Sequence, residues 1–379
     1  MWTQRDLSQT SNTTHNHTHR QMRAQLPFEI VDHIVGYLDI EDIRSIARVC
    51  SAFRLPAQLR LFRTIKIVPG PPGLSKAYPY HIKSILSSPH LLQYSSRLTL
   101  HCSNSMQQTS IQSLWKHLPV MYRLNTMYLY LEPSACSRVL SVLENLGSAR
   151  EIALYFRYGL APDLLISDNP LPVRTLELYV NASNHQVATQ LVHKCSQSLR
   201  TLTLYLRDNT IPSLPFLPNI YEFSVHSHLH EAGNEPDLMS LFPFLDQHPT
   251  ITRLSLGYQF TLAMQPPPSF LPNLQFLDAT PAIIERLIPG RGVYDIRAGY
   301  YSPRLPVDIV LQPLRQPFVP VTTFAIDANI HLPNHYLVGI VQALPKLRKF
   351  TLAWTCYEVR QSFEGRRYSE LTGNRPLSP

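Results

Sequence analysis

Residues 173–206, VRTLELYVNASNHQVATQLVHKCSQSLRTLTLYL, decide the fold. Val173, Leu176 and Leu178 follow an apolar-x-x-apolar-x-apolar pattern that returns at Leu199, Leu202 and Leu204. Within each copy the last two apolar residues alternate with polar ones, as on a strand. Between the copies Val187, Leu191 and Cys195 recur at helical spacing. A strand, a helix and a second strand follow in that order.

The same pattern extends in both directions. Towards the N-terminus it appears at Ala149/Ile152/Leu154, Leu124/Met127/Leu129 and, in part, Leu98/Leu100. Towards the C-terminus it appears at Ile220/Phe223/Val225, Ile251/Leu254/Leu256, Leu271/Leu274/Phe276, Val321/Phe324/Ile326 and Leu347/Phe350/Leu352. Helical stripes lie between copies, at Ile111/Leu114/Trp115/Leu118, Val139/Leu140/Leu143/Leu146, Leu238/Leu241/Leu245 and Leu337/Ile340/Val341/Leu344. Consecutive copies are about 25 residues apart, the period of a solenoid repeat. Each unit covers its apolar side with its neighbours, so none is stable alone. The pattern resembles a degenerate leucine-rich repeat, with Asn181 as the one clear copy of the asparagine such repeats place after the strand. The implied fold is α/β, an irregular leucine-rich-repeat-like solenoid with a curved parallel sheet over residues 81–357. A non-solenoid α/β sheet is the alternative. From 289 to 320 the pattern lapses among Pro289, Pro303, Pro306, Pro313, Pro317 and Pro320, which predicts an irregular insertion.

Ahead of the repeats, residues 25–67, QLPFEIVDHIVGYLDIEDIRSIARVCSAFRLPAQLRLFRTIKI, read as three short amphipathic helices with more apolar surface than so small a unit can hide. Pro27 suits a helix start. Ile30, Ile34 and Leu38 share one face of the first helix. Asp39 can cap the second, with Asp42 favoured near its positive end, and Ile43, Ile46, Ala47, Cys50 and Phe53 continue at helical spacing. Pro56 is read as opening a third helix with Leu59 and Phe62, followed by a strand at 64–68. Leu26-Pro27-x-Glu29-Ile30, then Ile34, Leu38, Asp42, Val49-Cys50 and Phe53-Arg54, resemble an F-box, and the ending FRLPAQLRLFRTIKI is similar to the version common in fungal F-box proteins. The resemblance implies docking on the Skp-type adaptor of a Skp-cullin-F-box ubiquitin ligase, through Leu26, Pro27, Ile30 and Ile34. A three-helix cap packed on the next domain would show the same periodicity.

The expected organisation is a disordered polar tail at 1–24, an F-box at 25–68, a Pro/Gly linker at 69–80, the repeats at 81–357 and a flexible tail at 358–379. With 44% hydrophobic and 16% charged residues, the chain can build a large core. A net charge of +8 could suit nucleic acid. Its Lys and Arg are scattered, however, which favours acidic protein partners and no nucleic acid. Five cysteines without a C-x-x-C pair fit neither a zinc site nor a disulfide framework. No apolar run reaches the roughly 20 residues of a membrane helix, and the N-terminal segment lacks a signal-peptide core. These features predict a protein of the cytoplasm or nucleus with no membrane partner.

Catalytic signatures are sparse. His226-x-His228-x-His230 before Glu231 would place imidazoles on one strand face, where they could meet a metal, although a solvated strand end has the same look. His15, His17 and His19 fall in the polar tail. Gly290-Arg291-Gly292 lacks the Gly-Lys-Ser/Thr ending of a phosphate loop. Neither a catalytic residue, a metal site nor a cofactor is expected. The position after the second strand apolar residue offers more: it reads His101, Tyr130, Tyr155, Tyr179, Tyr205 and His226, then Gly257, Leu277, Asp327 and Ala353. The preceding outward position is small or polar at Thr99, Ala153, Glu177, Thr203 and Ser224, with Tyr128 the exception. The rings therefore predict one continuous ladder that either covers the sheet or holds a target protein. Together the two units predict a non-catalytic substrate receptor, joined to a cullin scaffold through the adaptor. A binding scaffold unconnected with ubiquitin transfer and a metal-dependent hydrolase are the alternative readings.

Overall fold

The computed structural model describes residues 26–49, 51–67, 89–102, 114–118, 121–132, 136–144, 151–156, 160, 169–208, 210–227, 238–257, 260, 262, 265–300, 314, 320–328 and 334–354. The expected tails at 1–24 and 358–379 and the linker at 69–80 lie outside them, as do His228, His230 and the three N-terminal histidines. The chain divides into two compact units between Leu61 and Phe62.

The first unit holds helices α1 (Phe28–Tyr37), α2 (Ile40–Val49) and α3 (Ser51–Leu61). Val31, Val35, Ile43 and Ala57 form its core, with Leu38, Ala47, Phe53 and Leu61 half-buried against them. The Asp39 carboxylate accepts the Asp42 N–H at 2.9 Å, capping α2 as its sequence position suggests. Arg60 donates to the Gly36 carbonyl at 3.1 Å, tying α3 to the end of α1. One expectation needs correction. Pro56 lies inside α3 rather than at its start. It is buried beside Ala57, and the missing N–H costs one bond in a helix that tertiary packing holds. The core side of α1 is formed by Val31 and Val35, an apolar stripe next to that of Ile30 and Ile34.

Among the described residues, the second unit is built on an open sheet of twelve parallel strands in strict chain order. They are β1 (Thr64–Ile67), β2 (Arg97–Cys102), β3 (Thr126–Leu131), β4 (Glu151–Phe156), β5 (Thr175–Val180), β6 (Thr201–Leu206), β7 (Glu222–Ser227), β8 (Arg253–Leu256), β9 (Phe276–Ala279), β10 (Asp295–Tyr300), β11 (Thr323–Ala328) and β12 (Lys349–Trp354). Such an order with one-step parallel connections fits a solenoid-like repeat. Alternate strand residues, such as Leu176/Leu178/Val180 and Leu202/Leu204/Leu206, are fully buried. They share one core with Val187, Leu191 and Cys195 of the helix His185–Cys195 and with Ile283, Ile284 and Leu287 of the helix Pro281–Leu287. Burial raises the Cys195 thiol pKa far above its usual range, so it packs as an apolar group.

Three details depart from the sequence reading. The strand after the helices, expected inside the F-box segment at 25–68, pairs with β2 and so begins the sheet. The insertion expected at 289–320 contains β10, which pairs in register with both β9 and β11. Its segment Asp295–Tyr300 has no proline, and small Ala298 and Gly299 weaken the apolar pattern that marks the other strands. In β9 the inward residues are Leu277 and Ala279, preceded by buried Leu274, because Leu277 pairs with Leu254. The triplet Leu271/Leu274/Phe276 is thus out of register, and Leu277 belongs to the core rather than to the outward column.

Local ties fix the connections. Asn181 accepts N–H bonds from Ser183 and Asn184 at 3.1 Å each, while buried Asn184 donates to the Tyr179 carbonyl at 3.0 Å. Near the C-terminal end, Gly290 takes φ 76°, a turn open to glycine. Arg291, only 1% exposed, then donates to the carbonyls of Phe270, Leu287, Pro289, Pro266 and Pro267 at 2.6–3.4 Å. Burial lowers its pKa, and the surrounding carbonyls supply the acceptors that water would. The glycine-flanked Arg291 is a structural rivet.

Candidate functional site

Two surfaces stand out, and each is built by the element that presents it. On α1, residues four apart share a face. Val31 and Val35 therefore form one stripe and Ile30 and Ile34 a second, about 100° away. The first stripe is in the core. The second is open: Ile30 is 48% and Ile34 37% exposed, and Leu26, just before the helix, is 53% exposed. Pro27 is exposed beside them, and its carbonyl accepts the N–H groups of Ile30 and Val31 at 3.1 Å each. All four residues expected to meet an adaptor thus share one exposed apolar strip at the start of α1.

The other surface is the side of the sheet that faces away from the helices. There the rings do stack, but in two groups. His101 and Tyr130 lie 4.2 Å apart between centroids, and Tyr130 and Tyr155 4.5 Å apart at 11°. Tyr179 and Tyr205 lie 4.5 Å apart at 13°, with His226 5.1 Å beyond Tyr205. The expected single ladder is interrupted because the register moves by two residues between β4 and β5. Tyr155 pairs with Glu177, not Tyr179. Hydrogen bonding shows the same step, since Arg174 N–H donates to Ile152 O at 2.9 Å, whereas the equivalent Arg200 N–H donates to Arg174 O. Two ring triads flank an acid.

Glu177 is the residue the sequence placed in the neighbouring small and polar column; only the hydrogen-bond register moves it into the ring row. Burial raises the Tyr205 hydroxyl pKa, and the nearby Glu177 charge and Tyr179 raise it further, so Tyr205 stays protonated. The ring row ends at Gly257, where any Cβ would lie 2.8 Å from the His226 Cα. Beyond it the face changes. Arg253 lies 4.0 Å over the Phe276 ring and 3.6 Å from Glu222, and Arg297 is 4.0 Å from Asp278, which also accepts the Ser255 hydroxyl at 3.1 Å.

Of the histidines proposed for a metal, only His226 is described, and it stacks on Tyr205. Among the described residues, no helix is long and apolar enough to cross a membrane. Comparison with family models matches residues 24–67 to the F-box-like family, a span that covers α1, α2, α3 and β1. No curated protein matches the chain. The match contains the exposed strip of α1. Residues 24–67 are an F-box-like domain, consistent with an F-box protein, and the match does not extend to the repeats.

Proposed function

We propose that this chain is the substrate-recognition subunit of a Skp-cullin-F-box ubiquitin ligase, acting in the cytoplasm or nucleus. The F-box-like domain docks on a Skp-type adaptor through Leu26, Pro27, Ile30 and Ile34, and the repeat sheet holds a target protein on the face that carries the rings. Transfer then proceeds by proximity, with the target's lysines held near a charged conjugating enzyme and no catalytic residue in this chain.

The observation that carries this reading is the second apolar stripe of α1. Core formation uses Val31 and Val35, so folding of the helical unit leaves Ile30, Ile34 and Leu26 exposed as a strip that partner binding can bury. Replacing Leu26 and Pro27 together by Ala removes an apolar contact and the preset helix start, at a cost of about 2–4 kcal/mol in docking. Adaptor capture by the full chain should fall at least about thirtyfold. Undiminished capture by a variant that remains folded by circular dichroism would reject the reading.

A further inference from the structure

Along the edge where the strands begin, the residues just ahead of the strands form a row of their own. Arg174 and Arg200 directly precede the paired residues Thr175 and Thr201, and Tyr221 precedes Glu222, which pairs with Thr201 in turn. Backbone bonds fix these three rungs. The Arg174 carbonyl accepts the N–H groups of Arg200 and Thr201 at 2.8 and 2.9 Å, and the Arg200 carbonyl accepts those of Tyr221 and Glu222 at 3.0 and 3.1 Å. Parallel strands stand about 4.8 Å apart, so two arginines are held on neighbouring rungs. Arg174 is half-buried, Arg200 exposed and Tyr221 40% exposed.

Other arginines of the sheet are matched by its own acids. Arg253 lies 3.6 Å from Glu222, and Arg297 4.0 Å from Asp278. Among the described residues, no ion pair involves Arg174 or Arg200. Two like charges on adjacent rungs repel, and an anion set between them is attracted by both. The same edge carries Arg63, Arg97 and Arg348, also outside the ion pairs of the described residues. Its basic residues thus come in separate groups, with Glu151, Glu222 and Asp295 at the heads of strands between them. A nucleic acid, charged at every phosphate, would meet those acids as it followed the edge. A polypeptide can place its acids at the basic rungs alone.

We infer that the strand-start edge of β5 to β7 receives an acidic segment of a protein partner, with an Asp or Glu carboxylate held between the guanidiniums of Arg174 and Arg200. The planar N–H fork of arginine matches a carboxylate in two parallel hydrogen bonds. This site uses no residue of the α1 strip or of the ring row, and it stands whether or not the chain serves a ubiquitin ligase.

Titration of the full chain with short fluorescent probes tests it, using a glutamate–serine peptide, an arginine–serine peptide, an all-serine peptide and oligothymidine. Saturable binding that weakens with added salt is expected for the glutamate peptide and for neither other peptide, with oligothymidine bound more weakly. A net charge of +8 attracts any acidic probe, so the decisive comparison removes one positive charge at a time. Arg174→Gln and Arg200→Gln should each weaken glutamate-peptide binding at least about tenfold. Arg253→Gln, at a rung already matched by Glu222, should stay within about twofold of wild type. Arg200→Lys, which keeps the charge and loses the fork, should weaken binding less than Arg200→Gln. Thermal unfolding by circular dichroism verifies that each variant is folded. Three results would overturn the inference: no saturable binding of the glutamate peptide, equal losses from Arg253→Gln and Arg200→Gln, or oligothymidine bound more tightly than the peptide and weakened by the same substitutions.

Discussion

On the outward side of β2 to β7 the row that follows the second buried residue is aromatic, whereas from β8 to β10 the outward side carries paired charges and a glycine. Tyr130 and Tyr155 stack at 4.5 Å in the first half, while Arg253 bridges Glu222 and Phe276 in the second. Their inward sides are alike: Leu202 and Leu204 in β6 and Leu254 and Leu256 in β8 are all buried in one core. The contrast separates two kinds of constraint on one sheet. Inward residues answer to packing along the whole array. Outward residues answer to it less uniformly, so a difference there is open to a partner's demands.

The largest effects should come from breaking what the halves share. Leu204→Asp and Leu277→Asp each bury an unpaired charge in the common core, costing several kcal/mol and unfolding neighbouring repeats. Thr203→Asp, one residue from Leu204 on the outward side, should cost less than about 1 kcal/mol. Thermal unfolding monitored by circular dichroism checks all three, and equal stability of the Leu204 and Thr203 variants would overturn the inward and outward assignment. Next in size is Arg291→Met, which leaves several buried carbonyls without a donor. A loss of about 3–5 kcal/mol is expected by chemical denaturation. A loss below 1 kcal/mol would remove Arg291 as the rivet of the second half.

A smaller, pH-dependent effect belongs to His248, between β7 and β8. Its Nε2 accepts the Leu217 N–H at 2.8 Å and its Nδ1 meets the Phe244 carbonyl, so the neutral ring fits both partners. Burial lowers its pKa, against a smaller opposing contribution from the Phe244 carbonyl. The unfolded chain, with a histidine pKa near about 6.5, then binds more protons, and stability falls as pH drops through that value. His248→Gln should flatten the decline in Tm between pH 7 and 5 relative to wild type; parallel curves would contradict this. Smallest of all is the coupling between rings. In a double-mutant cycle of stability, Tyr130→Ala and Tyr155→Ala should interact by about 0.5–1.5 kcal/mol. Tyr155→Ala and Tyr179→Ala, on opposite sides of the register step, should add to within about 0.5 kcal/mol. Strong coupling across the step would restore the single ladder.

The parallel sheet was legible because each strand spells its burial in a local pattern that bulky residues make visible. It failed to show where small residues stand in: Ala279 shifted the reading of β9, and Ala298 with Gly299 hid β10. The helical unit announced its capping residue Asp39, yet α1 carries two apolar stripes, and spacing alone cannot say which of Val31/Val35 and Ile30/Ile34 faces the core. The ring residues were all found in the sequence, but their division into two stacks was not, because the offset of Tyr155 onto Glu177 is a property of hydrogen bonds between strands that neither strand encodes by itself.

The two surfaces proposed for adaptor and target lie in separate units of the chain, so they should fail separately. The direct measurement is affinity purification of the full chain from its native cell, with adaptor and co-purifying target quantified together for wild type, the Leu26→Ala/Pro27→Ala variant and the Tyr155→Ala/Tyr179→Ala variant. The first variant should lose the adaptor and keep the target, and the second should lose the target at least about tenfold while keeping the adaptor. Retention of the adaptor by the first variant, or loss of both partners by a folded second variant, would contradict a receptor with one surface for the ligase and another for what it marks.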